Sequence, residues 1–217
     1  MEEPLENLLK IKEYLEIARL QDEIITAFYS SNTSIILHGG TAIWRCYGGK
    51  RFSYDLDIYI KNSSETQNLL SRLYKIRLPV IKLRTRKSSG PVYYSVSNGI
   101  AKVTIELKQK RSRGEIIATY SKTDGSYIDI LSLSPEDLIK EKLMAYSSRR
   151  AIKDIYDIFV LSHISEKEKI RKDIKRFVEN LKQPVDENSL PQLIYTGSIP
   201  TFKQMIEYLK RTYEIHK

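Results

Sequence analysis

The run Ser34-Ile35-Ile36-Leu37-His38-Gly39-Gly40-Thr41, followed by Arg51-Phe52-Ser53-Tyr54-Asp55-Leu56-Asp57-Ile58-Tyr59-Ile60, decides how this chain reads. Its first half is a short apolar stretch between a polar cluster and paired glycines, the pattern of a buried strand. Thr41 to Tyr47 then suits a short helix turning back from that strand and closed by Gly48-Gly49. Asp55 to Ile60 alternates polar and apolar residues, which predicts a half-buried strand. On it Asp55 and Asp57 leave one face, and Leu56 and Ile58 anchor the other.

Working outward, residues 1–30 carry a helical stripe through Leu5, Leu8, Leu9, Ile11, Leu15, Ile17, Ala18, Ile24, Ile25, Ala27 and Phe28. Glu65 to Tyr74 also has helical spacing. Strands are expected at Val80–Thr85, Val92–Val96, Ala101–Lys108, Glu115–Tyr120 and Ile128–Leu133, with turns at Ser88-Ser89-Gly90-Pro91, Asn98-Gly99 and Asp124-Gly125. Antiparallel neighbours follow for the middle of the chain. From Ser134-Pro135-Glu136-Asp137, a cap with a first-turn proline and acids, the pattern is helical to the end. Leu138, Ile139, Leu143 and Met144 are expected to face inward. Further helices are expected near 151–162, 166–181 and 201–215. The expected fold is α/β (α+β): a mixed-sheet lobe with N-terminal helices over residues 1–133, then a helical lobe over 134–217.

The chain has 217 residues and 41% hydrophobic composition, enough for a sizeable core. One cysteine, Cys46, excludes an internal disulfide framework and a cysteine-based zinc cage. His38, His163 and His216 are too dispersed to suggest a local metal motif. No apolar run is long enough to span a membrane. The start, Met1-Glu2-Glu3-Pro4-Leu5-Glu6, is acidic where a signal peptide would be basic and then apolar. A cytoplasmic location is therefore expected.

The net charge of +9 is unevenly placed: twelve basic residues lie between Arg72 and Arg113, with Glu106 the lone acid among them. Residues 1–30 hold seven acids and three bases. A segregated field of this kind suits a polyanionic partner, although a solvated basic surface would look the same.

Three features carry chemical potential. Asp55 and Asp57, side by side on one strand face, would be costly without a compensating charge, and a divalent cation removes that cost. Hard oxygen ligands suit Mg²⁺. Gly39-Gly40-Thr41 lets backbone approach a ligand closely and offers N–H groups at a helix start to phosphate. The spacing is not that of a Walker motif or a dinucleotide fingerprint. Glu106 lies on the strand face opposite Ile105 and Leu107; an ion pair with Lys102 or Lys108 is the structural alternative to a chemical role.

Taken together, strand, Gly-Gly, D-h-D-h and a later h-E-h resemble the DNA polymerase β-type nucleotidyltransferase superfamily. Leu37-His38-Gly39-Gly40-Thr41-Ala42-Ile43 with Arg51-Phe52-Ser53-Tyr54-Asp55-Leu56-Asp57 is similar, more narrowly, to the AbiEii/AbiGii-type nucleotidyltransferase toxins. Glu141-Lys142-Leu143-Met144-Ala145, Arg149-Arg150 and Asp154-Ile155-Tyr156-Asp157 resemble that family's later helical motif, so the likeness runs over about residues 35–160.

The resemblance implies transfer of a nucleoside monophosphate from an NTP donor to an acceptor hydroxyl, with two Mg²⁺ ions held by Asp55, Asp57 and Glu106. Gly39, Gly40, Thr41, Arg51, Ser53 and Lys142 would bind the nucleotide. Asp154 and Asp157 would support by orienting Lys142, or simply pair with Arg150 and Lys153. Lys153 stands where relatives often have Arg, and lacks the bidentate fork. His38 and Trp44 read as structural. RNA, a tRNA end foremost, is the implied acceptor, with the protein acting as a toxin opposed by an antitoxin. The alternatives are a small-molecule or protein acceptor, or a non-catalytic RNA-binding module on the same scaffold.

Overall fold

The computed structural model describes residues 3–30, 34–62, 64–85, 90–110 and 114–215. The basic residues Arg86, Lys87, Arg111 and Arg113, the turn residues Ser88 and Ser89, the N-terminal Met1 and Glu2, and His216 lie outside that set. Two compact units form: Met1–Cys46 with Phe52–Ser132, and Tyr47–Arg51 with Leu133–Lys217. No described helix is long and apolar enough to cross a membrane.

The first unit contains α1 (Leu5–Leu8), α2 (Lys12–Tyr29), β1 (Ile36–His38), α3 (Gly39–Cys46), β2 (Leu56–Ile60), α4 (Ser64–Lys75), β3 (Val80–Thr85), β4 (Val92–Ser97), β5 (Lys102–Gln109), β6 (Glu115–Ser121) and β7 (Tyr127–Leu133). Its mixed sheet runs β3-β4-β5-β2-β1-β7-β6. β4 pairs antiparallel with both β3 and β5, whereas β5 joins β2 in parallel and β7 joins β1 in parallel. Strict alternation in β5 sends Val103, Ile105 and Leu107 into the core and leaves Lys102, Thr104, Glu106 and Lys108 on the other face.

The structure departs from the sequence expectation at three points around β1 and β2. Asp55 precedes its strand, which begins at Leu56. That strand is also more buried than its alternation suggests, because β2 is interior to the sheet; Tyr59 is covered by His38, whose ring stacks on it at 3.6 Å. The helix after β1 starts at Gly39 itself rather than at Thr41.

The core stripe of α2 includes an acid, Asp22, among Leu20, Ile24 and Ile25. It is buried because it is fully partnered. Arg45 of α3 pairs with it, Tyr120 donates at 3.0 Å, and Thr123 donates both backbone N–H at 2.8 Å and hydroxyl at 2.6 Å. The Arg45 guanidinium also lies over the rings of Trp44 and Tyr120, at 4.7 and 4.8 Å.

The second unit is helical: α5 (Pro135–Arg149), α6 (Ile152–Leu161), α7 (Lys167–Glu179), α8 (Leu190–Leu193) and α9 (Phe202–Thr212). Ser134 caps α5, with Pro135 in its first turn, and Thr201 with Gln204 forms a capping box on α9. α8 and the 3₁₀ turn before it were not expected. Met144, expected to face inward, is 66% exposed. The inward position beside Leu143 is taken by Lys142, only 7% exposed, for the electrostatic reason given below.

Removing the charge of Asp22 strands a buried guanidinium, a loss that costs about 3–5 kcal/mol. Asp22→Asn should lower the urea midpoint accordingly; an unchanged midpoint would show that Arg45 does not depend on this carboxylate.

Candidate active site

In the first unit the approach to β2 is held from several sides. Phe52 is fully buried, stacked on Tyr14 at 4.1 Å and packed against Trp44 and Tyr54. The Gln21 amide donates to the carbonyls of Ser53 and Tyr54, at 2.9 and 3.2 Å. The Thr41 hydroxyl donates to the Asp55 carbonyl at 2.5 Å. Thr41 therefore shapes the loop that presents Asp55, and Asp55 is exposed at its end.

Asp57 sits on β2 with His38 as its partner on β1 and Glu106 as its partner on β5. Register partners project to the same face, with strands about 4.8 Å apart. The two acids, forty-nine positions apart in sequence, are thus neighbours on one sheet surface. Glu106 makes no ion pair with Lys102 or Lys108 among the described residues.

Asp57 is also tied to the paired glycines. A Cβ on Gly39 would lie 1.9 Å from Asp57 Oδ2, and Gly39 has φ +72°, so a side chain at position 39 would displace the Asp57 carboxylate and strain the backbone.

Among the described residues no three His, Cys, Asp or Glu side chains gather closely enough to hold a metal ion by themselves. The expected set of Asp55, Asp57 and Glu106 is therefore not gathered into one such cluster, and a Mg²⁺ ion there would need ligands from water and substrate phosphates as well. The donor set of Asp57 and Glu106, with Asp55 two residues away, has the hard-oxygen chemistry such an ion needs.

In the second unit, Arg51 sends Nε and Nη2 to the two oxygens of Asp157, both at 2.6 Å. Lys142 Nζ lies 2.7 Å from Asp157 and 3.7 Å from Asp154. Asp154 in turn receives both Nε and Nη2 of Arg149, at 2.8 and 2.7 Å. Both aspartates are completely buried. The structure thus brings Lys142 together with Asp154 and Asp157; the other cations that hydrogen-bond these acids are Arg149 and Arg51, and Lys153 interacts with Asp154 electrostatically without an ion-pair contact among the described residues. The spacing of Asp154 and Asp157 on one helix face was the visible signal; Arg51, about a hundred residues away, was read as a phosphate contact and not as their partner.

The Tyr156 hydroxyl accepts from Lys50 N at 3.2 Å, and the Tyr195 N–H donates to the Lys50 carbonyl at 3.1 Å, so the segment carrying Arg51 is anchored on both sides. Burial and the nearby Arg51 and Arg149 hold the Lys153 ammonium below its ordinary range.

Burial raises the pKa of Asp157, but Arg51 and Lys142 outweigh it and hold the carboxyl below its ordinary 3.8. A carboxyl depressed in the folded state contributes stability above its unfolded pKa and loses it as pH falls through the folded value. Asp157→Asn should therefore cost about 3 kcal/mol near neutrality and flatten the acid limb of the stability curve below pH 3.8. An acid limb identical to the wild type would contradict this.

The sequence matches the profile of the nucleotidyl transferase AbiEii toxin family, type IV toxin–antitoxin system, over residues 92–209, more than half of the chain. That match includes Glu106 and the helices carrying Lys142, Asp154 and Asp157; it begins after Gly39 and Asp57. No curated protein matches the sequence. Two crystal structures share the fold: JHP933 from Helicobacter pylori, with TM-score 0.65 and 17% identity over 92% of this chain and 91% of that one, and a protein provisionally named nucleotidyltransferase from H. pylori, with TM-score 0.67 and 17% identity over 94% of each. The mixed sheet with Glu106 on its fifth strand and the helical unit that follows thus have a family: this chain belongs to the AbiEii nucleotidyl transferase toxins.

Proposed function

We propose that this protein moves a nucleoside monophosphate from an NTP to a hydroxyl of RNA, a tRNA end foremost, in a Mg²⁺-dependent reaction. On this reading it acts in the cytoplasm as a toxin held in check by an antitoxin. The observation that carries the reading is the pairing of Asp57 with Glu106 across β2 and β5, with Asp57 lying on the bare Cα of Gly39.

Asp55, Asp57 and Glu106 would hold the Mg²⁺, two ions in the full arrangement. Bound there, the metal would neutralise charge on the reacting phosphate oxygens and on the departing pyrophosphate. The backbone of Gly39, Gly40 and Thr41 at the start of α3 offers N–H groups to the triphosphate, and only glycine at 39 permits close approach beside Asp57. Ser53 would add a contact to the nucleotide from the loop that carries Asp55. In the second unit, Arg51 and Lys142, both expected at the nucleotide, are held by Asp157, with Asp154 also facing Lys142. The acceptor oxygen attacks the α-phosphorus, the bond to the β-phosphate breaks, pyrophosphate leaves, and the hydroxyl proton passes to the Glu106 carboxylate. The basic residues around Glu106 favour a polyanionic acceptor.

Incubation with each labelled NTP, Mg²⁺ and total RNA should place label on RNA. Asp57→Asn should cut incorporation by about 100-fold or more with an unchanged melting temperature. RNA affinity should also fall steeply with salt. Equal labelling by Asp57→Asn, label that never reaches RNA, or salt-independent RNA binding would each contradict the reading.

A further inference from the structure

The ladder that pairs Asp57 with Glu106 does not stop there. On β4 the partner of Glu106 is Tyr93, and on β3 the partner of Tyr93 is Arg84. One line across the sheet therefore reads His38, Asp57, Glu106, Tyr93, Arg84, all projecting to one face. Gly39, on the donor side, adjoins Asp57 at one end of this line. The other end holds an aromatic ring and a guanidinium, with Arg84 lying over the Tyr93 ring at 4.7 Å.

We infer that Tyr93 and Arg84 form the seat of the acceptor nucleotide, stacking an unpaired base of the RNA so that its hydroxyl meets Glu106. The inference rests on the transferase reading above. If the donor occupies the Gly39 side of Asp57, the acceptor must arrive from the opposite side of Glu106, which is where β4 and β3 lie. Single-stranded RNA is read by stacking on aromatic rings and on arginine planes, and this pair supplies both. Lys102 and Lys108, exposed on the same face of β5, supply positive charge to either side for the phosphates. Arg84 is exposed on an edge strand, so its cost-free alternative would be to point into water; instead it stays over the ring.

The test uses the full chain, a fluorescent single-stranded RNA oligonucleotide and a non-hydrolysable NTP analogue. Tyr93→Leu should weaken RNA binding about 10-fold, raise the KM for RNA, and leave analogue binding unchanged. Tyr93→Phe, which keeps the ring, should bind RNA within about twofold of wild type. Arg84→Gln should weaken RNA binding and reduce the salt slope by about one; at an exposed position it gives a folded variant even if Tyr93→Leu does not. Wild-type RNA affinity in both Tyr93→Leu and Arg84→Gln, with the parent protein still labelling RNA, would overturn the seat alone and leave the pair as protection of a sheet edge. Loss in Tyr93→Phe equal to that in Tyr93→Leu would also overturn it, because the hydroxyl rather than stacking would then matter. A parent protein that binds no RNA and labels none would overturn the transferase reading and the seat together.

Discussion

The carboxylate of Asp57 occupies the space that a side chain at position 39 would need. The same glycine adopts a left-handed φ of +72° at the turn from β1 into α3. The turn in turn brings the start of α3, with its unpaired N–H groups, beside the acid. From Asp57 the parallel ladder to β5 determines where Glu106 must be, since a slip of one residue would send its side chain to the core face with Ile105 and Leu107. The burial of Val103, Ile105 and Leu107 is therefore what holds the second acid on the open face.

A different economy governs the second unit. Lys142 points inward among apolar neighbours, which is tolerable because two buried aspartates meet its ammonium and each aspartate also binds an arginine fork. Desolvation of so many charges is expensive, and the network is balanced only while every member is present. Such an arrangement holds a cation in one orientation more effectively than a solvated lysine could be held. It also explains why Met144, the apolar residue next to Leu143 in the pattern, is turned outward: the stripe through Leu138, Ile139, Lys142, Leu143 and Tyr146 is already complete.

Much of this was legible in the sequence. The period-two strands of the middle segment and the capped start at Ser134 led to the elements found, and Gly-Gly after an apolar run marked the β1–α3 turn. The parts that were not legible are those decided at long range. Asp22 in an apolar stripe signals a buried cation, but nothing in the sequence names Arg45 as that cation. The fork of Arg51 was read as a phosphate contact because its partner, Asp157, lies on a helix far along the chain. Asp55 fell outside the strand because Thr41 holds its carbonyl in the loop, an interaction no alternation pattern encodes. The line from Glu106 to Tyr93 and Arg84 needed the registers of β5 with β4 and of β4 with β3, including the irregularity between Lys82 and Arg84.

The central claim is that Asp57 and Glu106 act as one cation-binding pair. Anomalous diffraction from crystals grown with Mn²⁺ and a non-hydrolysable NTP analogue tests it most directly. The account predicts a manganese peak bound by both carboxylates and by phosphate oxygens of the analogue. Manganese bound elsewhere, with nucleotide present and these two carboxylates unliganded, would contradict it.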